Sequence, residues 1–377
     1  MAIKKITGIP EIDTIANALS KKFGDKQLLS LGPRYDVATP IRTGSLSLDC
    51  MLGIGGFPDD RIIEIYGPES AGKTSLALQF VHQYVEERGY DRPPVFIDLE
   101  RTTGIDLIEG MGIDPKKILF CYPDTAEEAL QYAKDLGLSG KVGIIVFDSV
   151  DAAQAEKETK RMMTEMGVGD LPRIMSKSMR SLSKICCDKK VCYIFINQIR
   201  MKIGVMYGNP ETTSGGNALP FYSSLRLRVS SKPSPDLPDT LRMKVRIKKN
   251  KLAPALKREA EFDFTCGRGT EPYSDIIEYA KSIGMLRFAG SSVKVALPNE
   301  EEHTMCTGGK AGAREHLIGN PGIFEQLKRA CYSASGITNT SEGDSESSQS
   351  CDNIAGDTRD TEPSAESGGD TELTEGT

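Results

Sequence analysis

Apolar residues recur along this chain at two spacings. From residue 10 to 23 they fall three and four apart, at Ile12, Ile15, Ala16, Leu19 and Phe23. That spacing puts them on one face of a helix opened by Pro10. A short segment with Leu28, Leu29 and Leu31 follows and ends at Gly32-Pro33. Residues 1–33 therefore read as a small appendage whose apolar face needs cover, for instance from a neighbouring subunit. From about residue 34 to 268, short apolar runs alternate with amphipathic stretches. Ile62–Tyr66, Val95–Asp98, Ile118–Cys121, Val142–Asp148, Val191–Asn197, Ser224–Val229 and Met243–Lys248 predict strands. Thr74–Glu87, Ala126–Leu136 and Ile174–Cys186 predict helices. The alternation predicts an α/β fold with a mostly parallel sheet and covering helices. The run from Val142 to Phe147 has no polar side chain, which suits a central strand buried on both faces.

The pattern changes near residue 269. Ser274–Ile283 and Ile323–Tyr332 predict helices with short strand-like pieces between them, a small α/β unit over residues 269–334. Residues 335–377 hold Ser, Thr, Gly, Asp and Glu with almost no apolar side chains, so the reading there is disorder. Such a segment cannot bury enough surface to offset its ordering entropy. Charge divides the same way. From Ser341 to Thr377 eleven acids face the single base Arg359, a net of −10, while the whole chain carries −6 and residues 1–340 therefore +4. A mildly basic body with an acidic tail suits a protein that meets polyanions.

No apolar run approaches the ~18 residues of a membrane helix. No apolar region follows Met1-Ala2-Ile3-Lys4-Lys5 either, so the expected location is cytoplasmic with no membrane partner. The nine cysteines form no CxxC pair, and His82, His303 and His316 stand apart, which points to free thiols and no zinc site.

The chemistry begins at Gly67-Pro68-Glu69-Ser70-Ala71-Gly72-Lys73-Thr74, which fits GxxxxGK[ST] between a strand and a helix opened by Ser75. Backbone N–H groups and the positive helix end make an anion cradle there. Lys73 is expected to reach the β- and γ-phosphates of ATP, and Thr74 to hold Mg²⁺. Asp148, at the tip of a buried strand, is the expected acid of the metal site. Glu100 follows the strand Val95–Leu99 at the same sheet edge and suits a general base that polarises water. Asp98 competes with it, on the same face but two residues back. Asn197-Gln198 ends a third strand, where a neutral amide can report the γ-phosphate.

At these residues the chain resembles the bacterial RecA recombinase family. The resemblance runs through Thr43–Asp49, Ile65–Ser70 and Val146–Val150, and is most specific in Phe195–Thr213, with Lys249-Asn250-Lys251 beyond. It covers roughly residues 10 to 332. It implies a RecA-type P-loop ATPase core over 34–268, a polymerisation helix before it, and a helical filament on single-stranded DNA that pairs with homologous duplex. By the same resemblance, Glu100 activates water, Gln198 senses the γ-phosphate, and Lys249 and Lys251 reach the ATP of an adjacent subunit. Roles in recombination, repair and the SOS response follow from the family.

Residues 201–216 carry Gly204, Gly208, Gly215 and Gly216, whose N–H groups can approach phosphates closely. The resemblance assigns this loop to DNA, with Ile203 as a wedge between base triplets, Arg200 and Lys202 as charge, and Asn217 just beyond. It assigns Arg173, Ser176 and Arg180, after a first loop at about 157–173, to the same strand. Lys244 and Arg246 are similar to basic residues of a second site for duplex. Three positions depart from the family: Leu107 stands for a tyrosine that stacks on adenine, Pro220 stands for a lysine before the interface aromatic Phe221, and the first loop differs strongly. Two other readings share the P-loop, a hexameric helicase-like motor and an ATP-gated scaffold that does not hydrolyse. The Lys249–Lys251 element argues against the first and Glu100 against the second.

Overall fold

The computed structural model describes residues 9–23, 39–153, 170–201, 210–254, 259–298 and 300–337. Lys202, Ile203, most of the first loop and the whole acidic segment lie outside them.

The sheet is built from β3 (Ile62–Gly67), β4 (Val95–Asp98), β5 (Leu119–Cys121), β6 (Ile144–Asp148), β7 (Cys192–Met201), β9 (Leu225–Pro233), β10 (Leu241–Asn250), β11 (Glu259–Thr265) and β12 (Gly269–Thr270). Its order is β12-β11-β10-β9-β3-β7-β6-β4-β5. From β9 through β5 every neighbouring pair is parallel, whereas β9 to β12 are antiparallel. The sequence predicts every strand from β9 through β5 and also β10, but not β11 or β12. Two short strands, β1 (Pro40–Ile41) and β2 (Phe57–Pro58), pair separately, and β8 (Glu211–Thr213) pairs with the far end of β7.

Alternation decides the two faces. In β6, Ile144 and Val146 join one core, while Ile145 and Phe147 join the other. The first core takes α3 (Lys73–Arg88), with Leu76, Phe80 and Val81 fully covered. The second takes α5 (Ala126–Ser139) and α6 (Asp170–Lys189), through Ala129, Ala133, Met175, Met179 and Leu182. A strand clad on both sides has no solvent face, which is why β6 carries no polar residue before Asp148.

Shorter helices complete the chain. α2 (Leu46–Leu52) is capped by the Ser45 side chain, which accepts from the Leu48 N–H, and stops at Gly53 in the left-handed region. The remaining short ones are α4 (Ile105–Gly110) and α7 (Ala218–Tyr222). Toward the C-terminus, α8 (Pro272–Ser282), α9 (Gly309–Gly319) and α10 (Pro321–Ala334) pack with a sheet of β13 (Leu286–Ala289), β14 (Ser292–Val295) and β15 (His303–Thr307). Their core recruits Leu46 of α2, and two buried acids cross the seam: Tyr332 donates to Asp49 at 2.8 Å, and Ser47 donates to Asp275.

The first helix, α1 (Pro10–Phe23), forms as its spacing predicts. Ala16 is buried, but Ile12 is 39% and Ile15 58% exposed, so much of its apolar face is uncovered. Among the described residues no helix is long and apolar enough to cross a membrane.

Candidate nucleotide and nucleic-acid site

Parallel register brings the chemistry to one edge. Gly67 lies opposite Gln198 across β3 and β7, and Asp98 lies opposite Asp148 across β4 and β6. Strand ends in such a sheet open toward the crevice where α/β proteins bind ligands.

The loop leaving β3 is shaped by backbone constraints. A Cβ on Gly67 would lie 2.2 Å from the Val229 carbonyl oxygen of β9. Ser70 and Gly72 both take positive φ, at 56° and 83°. The chain thereby turns into α3 with its first N–H groups open, and Pro68, Glu69, Ser70 and Ala71 form the rim of the cradle. Lys73 is buried and donates to the Pro68 carbonyl at 2.7 Å. Burial pulls its pKa down, against the carboxylates of Asp148, Glu100 and Glu69 that favour its charge.

Thr74 donates its hydroxyl to Asp148 Oδ2 at 2.7 Å. Burial pushes the Asp148 carboxyl up to about 7, with Glu100 and Asp98 adding to the rise and Thr74 opposing it. A hydroxyl beside a buried carboxylate is the hard oxygen set that Mg²⁺ takes, the rest of its shell coming from phosphate and water. Among the described residues no group of three His, Cys, Asp or Glu side chains gathers to hold a metal. A site completed by a nucleotide therefore fits better than an all-protein cage. Ser75, the next residue of α3, lies 3.5 Å from the exposed Cys266 thiol.

The two candidate bases have different partners. Asp98 is buried and occupied, accepting from the Arg101 N–H at 2.7 Å and the Thr103 N–H at 3.3 Å, so it anchors the turn after β4. Glu100 is half-buried and accepts from the Ser149 hydroxyl at 2.5 Å, beside Asp148. Leu107 of α4 packs against the first core.

Asn197 is fully buried and is tied to Glu64 Oε1 at 3.3 Å and to the Ser214 carbonyl at 3.0 Å. Its side-chain Oδ1 accepts the Gln198 N–H at 2.9 Å. Glu64, also fully buried, pairs with Arg226 of β9. A chain of polar contacts thus joins β3, the end of β7 and the residues after β8. Asp151 extends it by accepting from both Arg200 and Ser214. Sequence reasoning missed Glu64, although an acid inside the run Ile62-Ile63-Glu64-Ile65 was the available signal: a buried charge demands a partner.

Lys249 donates to the Pro220 carbonyl at 2.6 Å and the Phe221 carbonyl at 2.9 Å, and Lys251 to Phe221 at 3.3 Å. The two lysines therefore cap the end of α7. Burial, then Lys251 and Arg226, lower the Lys249 pKa to about 8. Phe221 itself is 71% exposed.

The DNA candidates fall into three groups. Arg173, Ser176 and Arg180 stand exposed on α6. Gly215 and Gly216 take φ of 81° and 75° against the start of that helix, with Asn217 exposed beside them. Lys244 and Arg246 lie apart on β10, facing acids: Lys244 pairs with Glu259 at 2.6 Å and Glu261 at 3.0 Å, and Arg246 with Glu259. As placed, they offer little free positive charge.

Known proteins resemble this chain along most of its length. The family described as the RecA N-terminal domain matches residues 11–271. Protein RecA of Thermus aquaticus is 39% identical over 323 residues, 84% of this chain and 92% of that protein. Protein RecA of Geobacter sulfurreducens is 39% identical over 334 residues, 86% and 95% of the two. Among solved structures, a RadB recombinase aligns with a TM-score of 0.47 at 23% identity, covering 62% of this chain and 99% of that one.

Proposed function

Because this chain belongs to the RecA family, and so to recombinases of DNA repair, we propose that it is a DNA-dependent ATPase. In this reading it assembles as a helical filament on single-stranded DNA and pairs that strand with homologous duplex. The observation that carries the reading is the shared sheet edge, where Gly67 pairs with Gln198, Asp98 pairs with Asp148, and Thr74 donates to Asp148.

A bound ATP supplies the phosphoanhydride to be broken, and Mg²⁺ supplies positive charge beside its oxygens. The residues of this chain do the rest. The open N–H groups of α3 hold phosphate oxygens, and Lys73 turns from Pro68 toward them. Thr74 and Asp148 would hold the metal. Glu100, kept in place by Ser149, takes a proton from the attacking water. Gln198 stands where loss of the γ-phosphate is felt, and Asn197 passes that change to Ser214 and so to the DNA loop. Lys249 and Lys251 leave the carbonyls of α7 for the nucleotide of an adjacent subunit. Hydrolysis then depends on assembly, and assembly on the DNA strand. The described residues of the DNA loops contact backbone phosphates without sequence preference, with Lys202 adding charge and Ile203 wedging between base triplets. Lys244 and Arg246 must exchange Glu259 and Glu261 for duplex phosphates to serve a second site.

ATP turnover by the purified protein, with and without single-stranded DNA, tests this reading. Strong stimulation that rises cooperatively with protein concentration is expected. Turnover indifferent to DNA would refute it in favour of a different P-loop ATPase.

A further inference from the structure

We propose that the exposed face of α6 is a contact for the phosphate backbone of single-stranded DNA, running beyond Arg173 and Arg180 through Lys177 and Lys184. The proposal rests on the DNA-binding reading above and deepens it.

The geometry comes from helical period. α6 buries Met175, Met179, Leu182, Ile185 and Cys186 in the second core. Its opposite face exposes Arg173, Lys177, Arg180 and Lys184. Steps of four, three and four residues keep these cations within one narrow stripe, about 16 Å long at 1.5 Å rise per residue. Among the described residues none of the four has an ion-pair partner. Arg200, Lys244 and Arg246, by contrast, are all paired with acids.

Position argues for a nucleic acid rather than for a merely solvated row. The stripe starts where the second loop ends: a Cβ on Gly216 would stand 3.0 Å from Pro172 Cβ, and one on Gly215 3.4 Å from Met175 Cγ. Alongside runs a groove of about 790 Å³ with Ser176, Ser183 and Asn217 on its polar side and Phe221 and Tyr222 on its apolar side. Hydroxyl and amide donors next to a row of cations match the oxygens and charge of a phosphodiester chain. A single strand can follow such a row because each phosphate needs only one near cation.

The test is the salt dependence of oligothymidylate binding by the full chain with ATP, between 50 and 200 mM salt. Each single-strand phosphate contact contributes about 0.7 to the slope of log affinity against log salt. The K177Q/K184Q double variant is expected to lower that slope by about 1.4, so that it loses about sevenfold less affinity across the range. K177R/K184R is expected to keep the original slope, which separates charge from folding. An unchanged slope in the glutamine variant overturns the proposal, while a steep slope in the unmodified protein leaves the DNA-binding reading standing. No salt-dependent binding by the unmodified protein overturns both. A slope change that vanishes on removal of residues 338–377 assigns the row to the acidic segment of this chain, and also overturns it.

Discussion

Lys73 and Glu100 answer different demands. Lys73 is buried with its ammonium on a carbonyl, so a phosphate replaces one oxygen partner by a better-charged one. Lys73→Ala is expected to abolish turnover by removing that charge from the cradle. Glu100→Gln keeps the shape and the Ser149 contact but cannot take a proton. It is expected to lower kcat by about 10²–10⁴, the usual worth of general base catalysis, while ATP-dependent DNA binding persists. Steady-state hydrolysis and anisotropy on the same preparations check both. The loop, its lysine and its threonine were legible in the sequence because their spacing encodes a backbone shape. Alternation alone puts Asp98 and Glu100 on one face, and it was the family resemblance that favoured Glu100. In the structure the amides of Arg101 and Thr103 fold back onto Asp98, whereas Glu100 accepts from the Ser149 hydroxyl.

Among the elements, β3 shows how a sheet carries information across its width. Its Glu64 is sealed between Arg226 of β9 and Asn197 of β7. Removing this buried acceptor leaves Asn197 and the partly exposed Arg226 without it, so Glu64→Ala is expected to cost about 1–3 kcal/mol, read from urea unfolding. Glu64→Gln, which keeps an acceptor and the volume, is expected to cost less and so to reveal whether DNA stimulation falls apart from stability. The parallel strands were readable as apolar runs. α2 and α7 were not, because each is too short to show a helical period and is set by its ends: the Ser45 cap and Gly53 for α2, and the Lys249 and Lys251 ammonium groups for α7. Such partners are remote in sequence from the element they stop.

For the whole molecule, the seam between α2 and the C-terminal helices is a pH-dependent joint. Burial raises Asp49 to about 7 and Asp275 to about 6, outweighing their hydrogen bonds from Thr43, Tyr332 and Ser47. Both values lie above the ordinary 3.8, so the folded protein keeps protons that the unfolded chain releases. The penalty grows as pH rises from about 4 through 7. The thermal midpoint is therefore expected to fall between pH 5 and pH 8, and Asp49→Asn to flatten that fall. Assembly is the second property of the whole. Ala at both Lys249 and Lys251 is expected to spare nucleotide binding by the lone protomer but to remove DNA-stimulated hydrolysis, as measured by nucleotide titration beside turnover. The apolar face of α1 pointed to a missing neighbour in the sequence, and its exposed Ile12 and Ile15 keep that expectation open within one protomer.

The close approach of β9 to the first glycine of the phosphate loop has a hereditary meaning. Every base change that alters the amino acid at codon 67 installs a side chain, and the first carbon of that side chain meets the Val229 carbonyl at 2.2 Å. Backbone in the middle of a sheet does not step aside as a flexible side chain does. Drift therefore has no neutral path out of this position. A library randomised at codon 67 and selected for survival of DNA damage is expected to return glycine codons alone.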